Sequence, residues 1–146
     1  MRIDSFLRQS PIFQTTRIAR QMEAALNLAL RLEEVNMLEA LTLAAILFEK
    51  RGETKPSSLA EAFETTRGNM SHCISSLETK GLVERRIDAE DARAVQLTLT
   101  GQGRKRAARV VGVLDRMQRR FEEGIGAAKL ASMLARMNAV AALGRG

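Results

Sequence analysis

Residues 57–103, SSLAEAFETTRGNMSHCISSLETKGLVERRIDAEDARAVQLTLTGQG, decide the fold of this 146-residue chain. Two short helical patterns come first, about residues 56–63 and 67–80, and a polar break at Thr65-Thr66 separates them and supplies an N-cap for the second. The second pattern has apolar residues in steps of three and four, at Met70, Cys73, Ile74 and Leu77. Gly81 then provides a helix end. Two short helices joined by a tight polar turn predict a helix-turn-helix.

The period of the pattern changes after Gly81. Residues 82–87, LVERRI, form one strand candidate, and residues 94–100, AVQLTLT, alternate apolar and polar side chains as a half-buried strand does. A polar loop, residues 88–93, joins them. A two-stranded hairpin directly after a helix-turn-helix is a wing.

Longer helical patterns flank this region. Ser10-Pro11 places serine at the N-cap and proline at the first position of a helix that continues to about Glu33. Asn36 and Glu39 resemble a capping box at the start of the next helix. Thr100 can cap a helix over residues 101–123, and a Gly-rich break at residues 124–126 precedes the last helix, residues 127–143. The predicted fold class is mostly α with a small β wing.

Composition excludes several classes of protein. No window approaches 18 uninterrupted apolar residues, so no membrane span is predicted, and the N-terminus does not resemble a secretory signal, so we expect a cytoplasmic protein. One cysteine and one histidine leave no basis for a metal site. We find no supported nucleophile and no Gly-rich phosphate loop, so we expect no enzyme, no catalytic residue and no cofactor.

The net charge of +6 weakly indicates a polyanionic partner. The excess lies in residues 101–146, which hold ten Lys/Arg and three Asp/Glu, whereas residues 51–100 hold seven and eight. A basic run at Arg104, Lys105, Arg106 and Arg109 either approaches a nucleic-acid backbone or is a solvated helix face.

In their order and spacing these patterns resemble the MarR family of winged-helix transcription regulators. The matching residues are Leu59-Ala60-Glu61, Ile74, Leu77, Lys80-Gly81-Leu82-Val83-Glu84-Arg85, Asp88-x-x-Asp91-x-Arg93 and Leu97-Thr98-Leu99-Thr100-x-x-Gly103. The resemblance implies a homodimer in which residues 1–34 and 101–146 are dimerisation helices and residues 35–100 form the winged helix-turn-helix. It also implies a DNA-binding regulator, more commonly a repressor, that responds to a small aromatic or anionic ligand.

The second helix of the helix-turn-helix is the predicted DNA-reading element, because a helix fits the major groove. The side chains that its apolar stripe leaves facing outward are Arg67, Gly68, Asn69, Ser71, His72 and Ser75. Asn69 can hydrogen-bond an adenine edge, and Ser71 a phosphate or a base. The alternative is a merely solvated helix face; the wing that follows favours DNA.

The wing supplies the second predicted anchor. The resemblance implies that Arg93 enters the minor groove, where a narrow groove attracts a cation. It also implies that Asp91 orients the loop or pairs with Arg85 or Arg86. The alternative is a tight hairpin loop in which Asp side chains accept backbone N–H groups.

Three positions depart from the family pattern. Ala92 stands where a basic residue is common, Gly68 where a hydroxyl residue is common, and His72 where arginine is common. A neutral histidine makes no strong phosphate contact, so these departures predict modest or pH-dependent affinity for DNA.

Two other interpretations remain. Some relatives sense oxidants through cysteine, but the register of Cys73 within the apolar stripe predicts a buried, inert thiol. The near-neutral charge of the winged segment supports a non-enzymatic rival function, in which a winged helix serves for protein docking or dimerisation. Specific binding to duplex DNA distinguishes the two functions.

Overall fold

The computed structural model describes residues 2–50, 53–87, 90–91 and 94–146. Its helices are α1 (Ile3–Gln9), α2 (Pro11–Ala29), α3 (Met37–Phe48), α4 (Pro56–Ala62), α5 (Arg67–Thr79), α6 (Gly101–Ile125) and α7 (Ala127–Gly144). A 3-10 turn covers Arg31–Glu33, and strands β1 (Val83–Ile87) and β2 (Val95–Leu99) form an antiparallel pair. The predicted fold class, mostly α with a small wing, is confirmed. Helix α1 was not predicted from the sequence.

The helix ends follow local chemistry. The side chain of Ser10 accepts a hydrogen bond from the N–H of Phe13 at 3.3 Å, as expected for the cap of α2. Asn36 and Glu39 form the predicted capping box of α3, in which each side chain accepts from the other residue's N–H. Gly126, with φ 96°, makes the break between α6 and α7; the preceding two residues of the predicted break are still helical.

The chain forms two compact units, and we name them by position. Residues 27–113 form the winged unit, and residues 1–26 with 114–146 form the terminal unit. The boundaries between the units fall within α2 and α6.

The core of the winged unit lies under α3 and α5. Its fully buried large side chains are Leu30, Leu43, Met70, Ile74, Leu77, Leu82, Leu97, Val110 and Thr42. On α5 the buried residues are the predicted stripe, Met70, Cys73, Ile74 and Leu77. Burial of this stripe against the core turns the polar face of α5 outward.

The wing is tied to the rest of the unit through β2. Leu97 is 1% exposed and pairs with Arg85 across the hairpin, and its N–H donates to the carbonyl of Thr54 at 2.9 Å. The predicted inner face is confirmed at Leu97, whereas Val95 and Leu99 are half-buried. Asp88, Ala92 and Arg93 lie outside the described residues, so the predicted groove contact of Arg93 is not located.

Hydrogen bonds join the residue that precedes α6 to the turn that follows α5. The hydroxyl of Thr100 donates to the carbonyl of Gly81 at 2.6 Å and accepts from the N–H of Gly103 at 2.9 Å. The N–H of Thr100 also donates to the carbonyl of Leu82 at 3.1 Å. Thr100 therefore caps α6 as predicted, and it also holds the turn that leads into the wing.

The terminal unit leaves most of its apolar side chains exposed. Leu130 is the only buried residue among its described positions. Gln14 of α2 donates to the carbonyl of Leu7 in α1 at 2.8 Å. The large apolar residues at least 38% exposed are Ile3, Phe6, Ile12, Phe13, Ile18, Met22, Ile125, Met133, Leu134, Met137, Val140 and Leu143. None of the helices in the described part of the chain has the length and apolar character needed to cross a bilayer.

Candidate nucleic-acid interface

The outward face of α5 carries the predicted DNA-reading residues. The hydroxyl of Thr66 accepts from the N–H of Asn69 at 3.0 Å, which starts the helix at Arg67 as predicted. All six predicted positions are exposed: Arg67, Gly68, Asn69, Ser71, His72 and Ser75. They lie within nine residues of one helix, on the side opposite the buried stripe, so a flat surface could reach several of them together.

Neighbouring residues hold some of these side chains. The amide nitrogen of Asn69 donates to the hydroxyl of Thr65 at 3.3 Å. The guanidinium of Arg85 donates to the hydroxyl of Ser75 at 3.1 Å and to a carboxylate oxygen of Glu78 at 2.6 Å. The side chains of Ser71 and His72, by contrast, form no hydrogen bond within the described part of the chain, and both residues are exposed.

A cleft of about 390 Å³ lies between the start of α4, α5 and β1. Arg67 and Arg85 line it together with Ser57 and Ser71. Arginine forks and short hydroxyls are the groups that bind phosphate oxygens. The sequence pattern marked Arg85 as a family-motif residue and a possible partner of Asp91, not as a DNA contact, and it did not mark Ser57, since their place beside α5 depends on the packing of three elements.

The described part of the wing loop contains Asp91. This residue is exposed, and its carbonyl accepts from the N–H of Ala94 at 3.0 Å. Arg85 binds Ser75 and Glu78, and Arg86 lies 3.3 Å from the carboxylate of Glu84.

The basic run at the start of α6 has a role that neither sequence interpretation included. Arg106 donates to the carbonyl of Glu33 at 2.5 Å, and its Nε lies 3.6 Å from the carboxylate of that residue. Arg109 donates to the same carboxylate at 2.9 Å. These two arginines therefore hold the 3-10 turn before α3 against α6. Arg104 and Lys105 are exposed.

Cys73 is buried, as its register predicts. Its Sγ lies 3.6 Å from the hydroxyl of Thr42. Burial raises the pKa of the thiol, which keeps it in the neutral, unreactive form. Within the described part of the chain, no group of three or more His, Cys, Asp or Glu side chains is placed to hold a metal ion.

Comparison with known proteins places this geometry in a family. A family model described as a winged helix DNA-binding domain matches residues 40–118, more than half of the chain. No curated protein matches the sequence.

Solved structures with the same fold include three regulators. S. aureus MepR bound to DNA is 20% identical, with a TM-score of 0.80 over 89% of this chain and 94% of its own. CouR from Rhodococcus jostii RHA1, bound to p-coumaroyl-CoA, is 21% identical, with a TM-score of 0.77 over 92% and 94%. A MarR-family regulator from Rhodococcus sp. RHA1 is 20% identical, with a TM-score of 0.71 over 88% and 90%. The chain therefore belongs to the family of winged helix DNA-binding domains, and its resemblance to the MarR-family regulators is confirmed in its fold.

Proposed function

We propose that this protein is a cytoplasmic, non-enzymatic transcriptional regulator that binds specific DNA sequences as a homodimer. The observation that carries the proposal is the outward face of α5, where short polar side chains stand exposed beside a cleft bordered by Arg67 and Arg85. A helix of this kind fits the major groove, and short side chains let it approach base edges closely.

In this proposal the side chains have different roles in DNA recognition, according to their chemistry. Asn69 and Ser71 are short enough to hydrogen-bond base edges and so carry sequence information. Arg67 and Arg85 contact phosphates, which positions the helix without reading sequence. We assign a minor-groove contact to Arg93 on the strength of the wing motif alone.

The homodimer is supported by the terminal unit, which buries Leu130 alone among its described residues. Exposed apolar surface of this extent calls for a partner, and a second copy of the chain supplies a matching surface. Two-fold symmetry would place two copies of α5 about 34 Å apart, one turn of DNA, and would require a pseudo-palindromic operator.

We further propose that the regulator is a repressor released by a small aromatic or anionic ligand. Support comes from the relative of the same fold that is bound to p-coumaroyl-CoA. Release requires a ligand that binds the DNA-free form more tightly than the DNA-bound form.

The proposal is tested by titrating the full chain against duplexes from its own upstream region and against random duplex, at two salt concentrations. Specific binding should be tighter than random binding, and both affinities should fall steeply with salt through counterion release. Asn69→Ala should cost about 1–3 kcal/mol on the preferred duplex, and Arg67→Ala should weaken binding to both duplexes alike. Arg93→Ala should weaken binding without a large change in melting temperature.

Glu53→Gln is the control, because it changes an exposed side chain of the winged unit that lies outside α5, the wing strands and the terminal unit. It should leave DNA discrimination unchanged. Equal affinity for upstream and random duplex would contradict specific regulation and would favour the rival function, a winged helix used for protein docking.

A further inference from the structure

A buried carboxylate joins α3 to the helix that faces DNA. Glu39 is 4% exposed, and its Oε1 accepts from the N–H of Asn36 at 3.1 Å. Its Oε2 accepts from the hydroxyl of Ser76 at 3.0 Å and from the ammonium of Lys80 at 2.7 Å. A carboxylate at this depth is stable only when it is paired and hydrogen-bonded, so these contacts hold α3 and the C-terminal end of α5 together.

Lys80 extends the connection to the turn before α3. Its ammonium also donates to the carbonyl of Glu34 at 2.8 Å. Glu34 has the left-handed conformation, with φ 55°, which directs that carbonyl at the end of the 3-10 turn. One lysine thus fixes α5 to α3 and to the turn that precedes it.

The residues bound by Glu39 lie on the same side of α5 as two of the proposed DNA-reading residues. Asn69, His72, Ser76 and Lys80 are spaced by three, four and four residues, so they share one side of the helix. A cleft of about 180 Å³ borders Glu39, Asn69, His72 and Ser76. Because a helix moves as a rigid rod over two turns, any rotation at Ser76 is transmitted to Asn69 and His72.

Apolar packing alone only weakly defines the rotation of α5 about its own axis. The hydrophobic effect that buries the inner stripe of α5 has no direction, whereas hydrogen bonds require distance and angle. Contacts from long arginine side chains to phosphates tolerate a small rotation. Contacts from short side chains to base edges do not.

We propose that Glu39 is a positioning residue that sets the rotation of α5, so that Asn69 and His72 meet base edges and DNA sequences are discriminated. The inference rests on the proposed DNA-binding function. In this proposal Glu39 does not touch DNA. It contributes to the discrimination between DNA sequences and contributes almost nothing to the sequence-independent affinity.

Glu39→Gln tests the proposal, because glutamine keeps the size of the side chain and can still form the capping box, while its charge is lost. Glu33→Gln is the matched control. It removes a carboxylate whose side chain is 14% exposed and which binds Arg106 and Arg109 of α6; within the described part of the chain no hydrogen bond or ion pair joins its side chain to α5. Both variants are titrated against the duplex preferred by the wild type and against random duplex, at one salt concentration and at a temperature where circular dichroism shows both folded.

Glu39→Gln should lower the ratio of preferred to random affinity about tenfold, comparable to one mismatched base pair, and leave random binding within about twofold. Glu33→Gln should leave the ratio unchanged. Lys80→Arg, which keeps the charge, should retain most of the ratio.

If Glu39→Gln does not fold, Ser76→Ala tests the proposal instead. This variant removes one hydrogen bond to Glu39 and leaves the ion pair between Glu39 and Lys80. It should lower the ratio of preferred to random affinity by a smaller factor. An unchanged ratio in the folded variant, or equal loss on both duplexes, would overturn the positioning role while the DNA-binding function stands. A wild type without discrimination would overturn both.

Discussion

At Gly103 the first turn of α6 passes very close to the backbone that leads into the wing. A Cβ at this position would lie 1.9 Å from the carbonyl oxygen of Leu82 and 2.8 Å from its carbonyl carbon. These are backbone atoms of a buried residue, and Leu82 also accepts a hydrogen bond from the N–H of Thr100, so neither side can move freely. The glycine in the Thr100-x-x-Gly103 pattern is therefore required by close packing.

Gly103→Ala should destabilise the protein by about 1–3 kcal/mol or more, because the methyl group must displace backbone atoms. Urea unfolding followed by circular dichroism measures the loss. Gly124→Ala in the same helix is the control, since nothing lies within 4 Å of its added Cβ, and it should cause no loss. Equal stability of the two variants would show that Leu82 moves aside easily.

Cys73 gives a prediction with a defined pH dependence. Burial raises the pKa of its thiol above the value in the unfolded chain, so the neutral thiol favours the folded state. This contribution is complete below the unfolded pKa and is lost as the pH rises through the raised pKa. The stability advantage of the wild type over Cys73→Ala should therefore shrink between neutral and strongly alkaline pH.

Urea unfolding of both proteins at the two pH values measures this difference. We also expect iodoacetamide to alkylate the thiol of Cys73 slowly in the native protein at neutral pH and fast in urea. Rapid alkylation of the folded protein would mean that Cys73 is open to reagents, and the redox interpretation would return.

At the scale of elements, α5 depends on its cap as well as on its apolar stripe. The hydroxyl of Thr66 accepts from the N–H of Asn69, which is also a proposed base-reading residue. The cap therefore has two consequences: it stabilises the helix, and it fixes the backbone from which Asn69 extends.

Thr66→Ala should lower stability by about 1 kcal/mol, the usual cost of a lost N-cap. It should also weaken binding to the preferred duplex more than binding to random duplex. Thr66→Ser keeps the hydroxyl and should restore both properties. If Thr66→Ala keeps full stability, the helix is started by packing and the cap is dispensable.

At the scale of the whole molecule, the proposed partner of the terminal unit is a second copy. An apolar groove of about 480 Å³ lies between the start of α2 and α7 and is lined in part by Pro11, Met133, Met137 and Val140. Met137 is 39% exposed there, so its surface is open to a partner.

Met137→Glu should weaken self-association by about tenfold or more, because it replaces apolar contact surface with a carboxylate that loses its hydration at the interface, even though Lys129 and Arg136 also line the groove. Sedimentation velocity over a range of protein concentrations measures the effect. Phe48→Glu is the control: it places the same charge at a 72% exposed apolar position in the winged unit and should leave association unchanged. A wild type that stays monomeric would contradict the homodimer directly.

The sequence by itself determined the features that depend on neighbours along the chain. The caps at Asn36, Thr66 and Thr100 and the buried stripe of α5 could be predicted because helix hydrogen bonds and helix faces join residues three or four positions apart. The exposure of the six α5 positions followed from the same periodicity. Helix α1 escaped prediction, since its seven residues are few for a periodic signal and no side chain caps its start.

Only the tertiary structure decided which distant groups meet. Glu39 and Lys80 are 41 positions apart, and Glu33 and Arg106 are 73 apart. No local pattern marks such pairs, because each charge alone is compatible with a solvated surface. Their pairing depends on how three or four elements pack. The place of Arg85 beside α5 and the need for glycine at position 103 depend on the same packing.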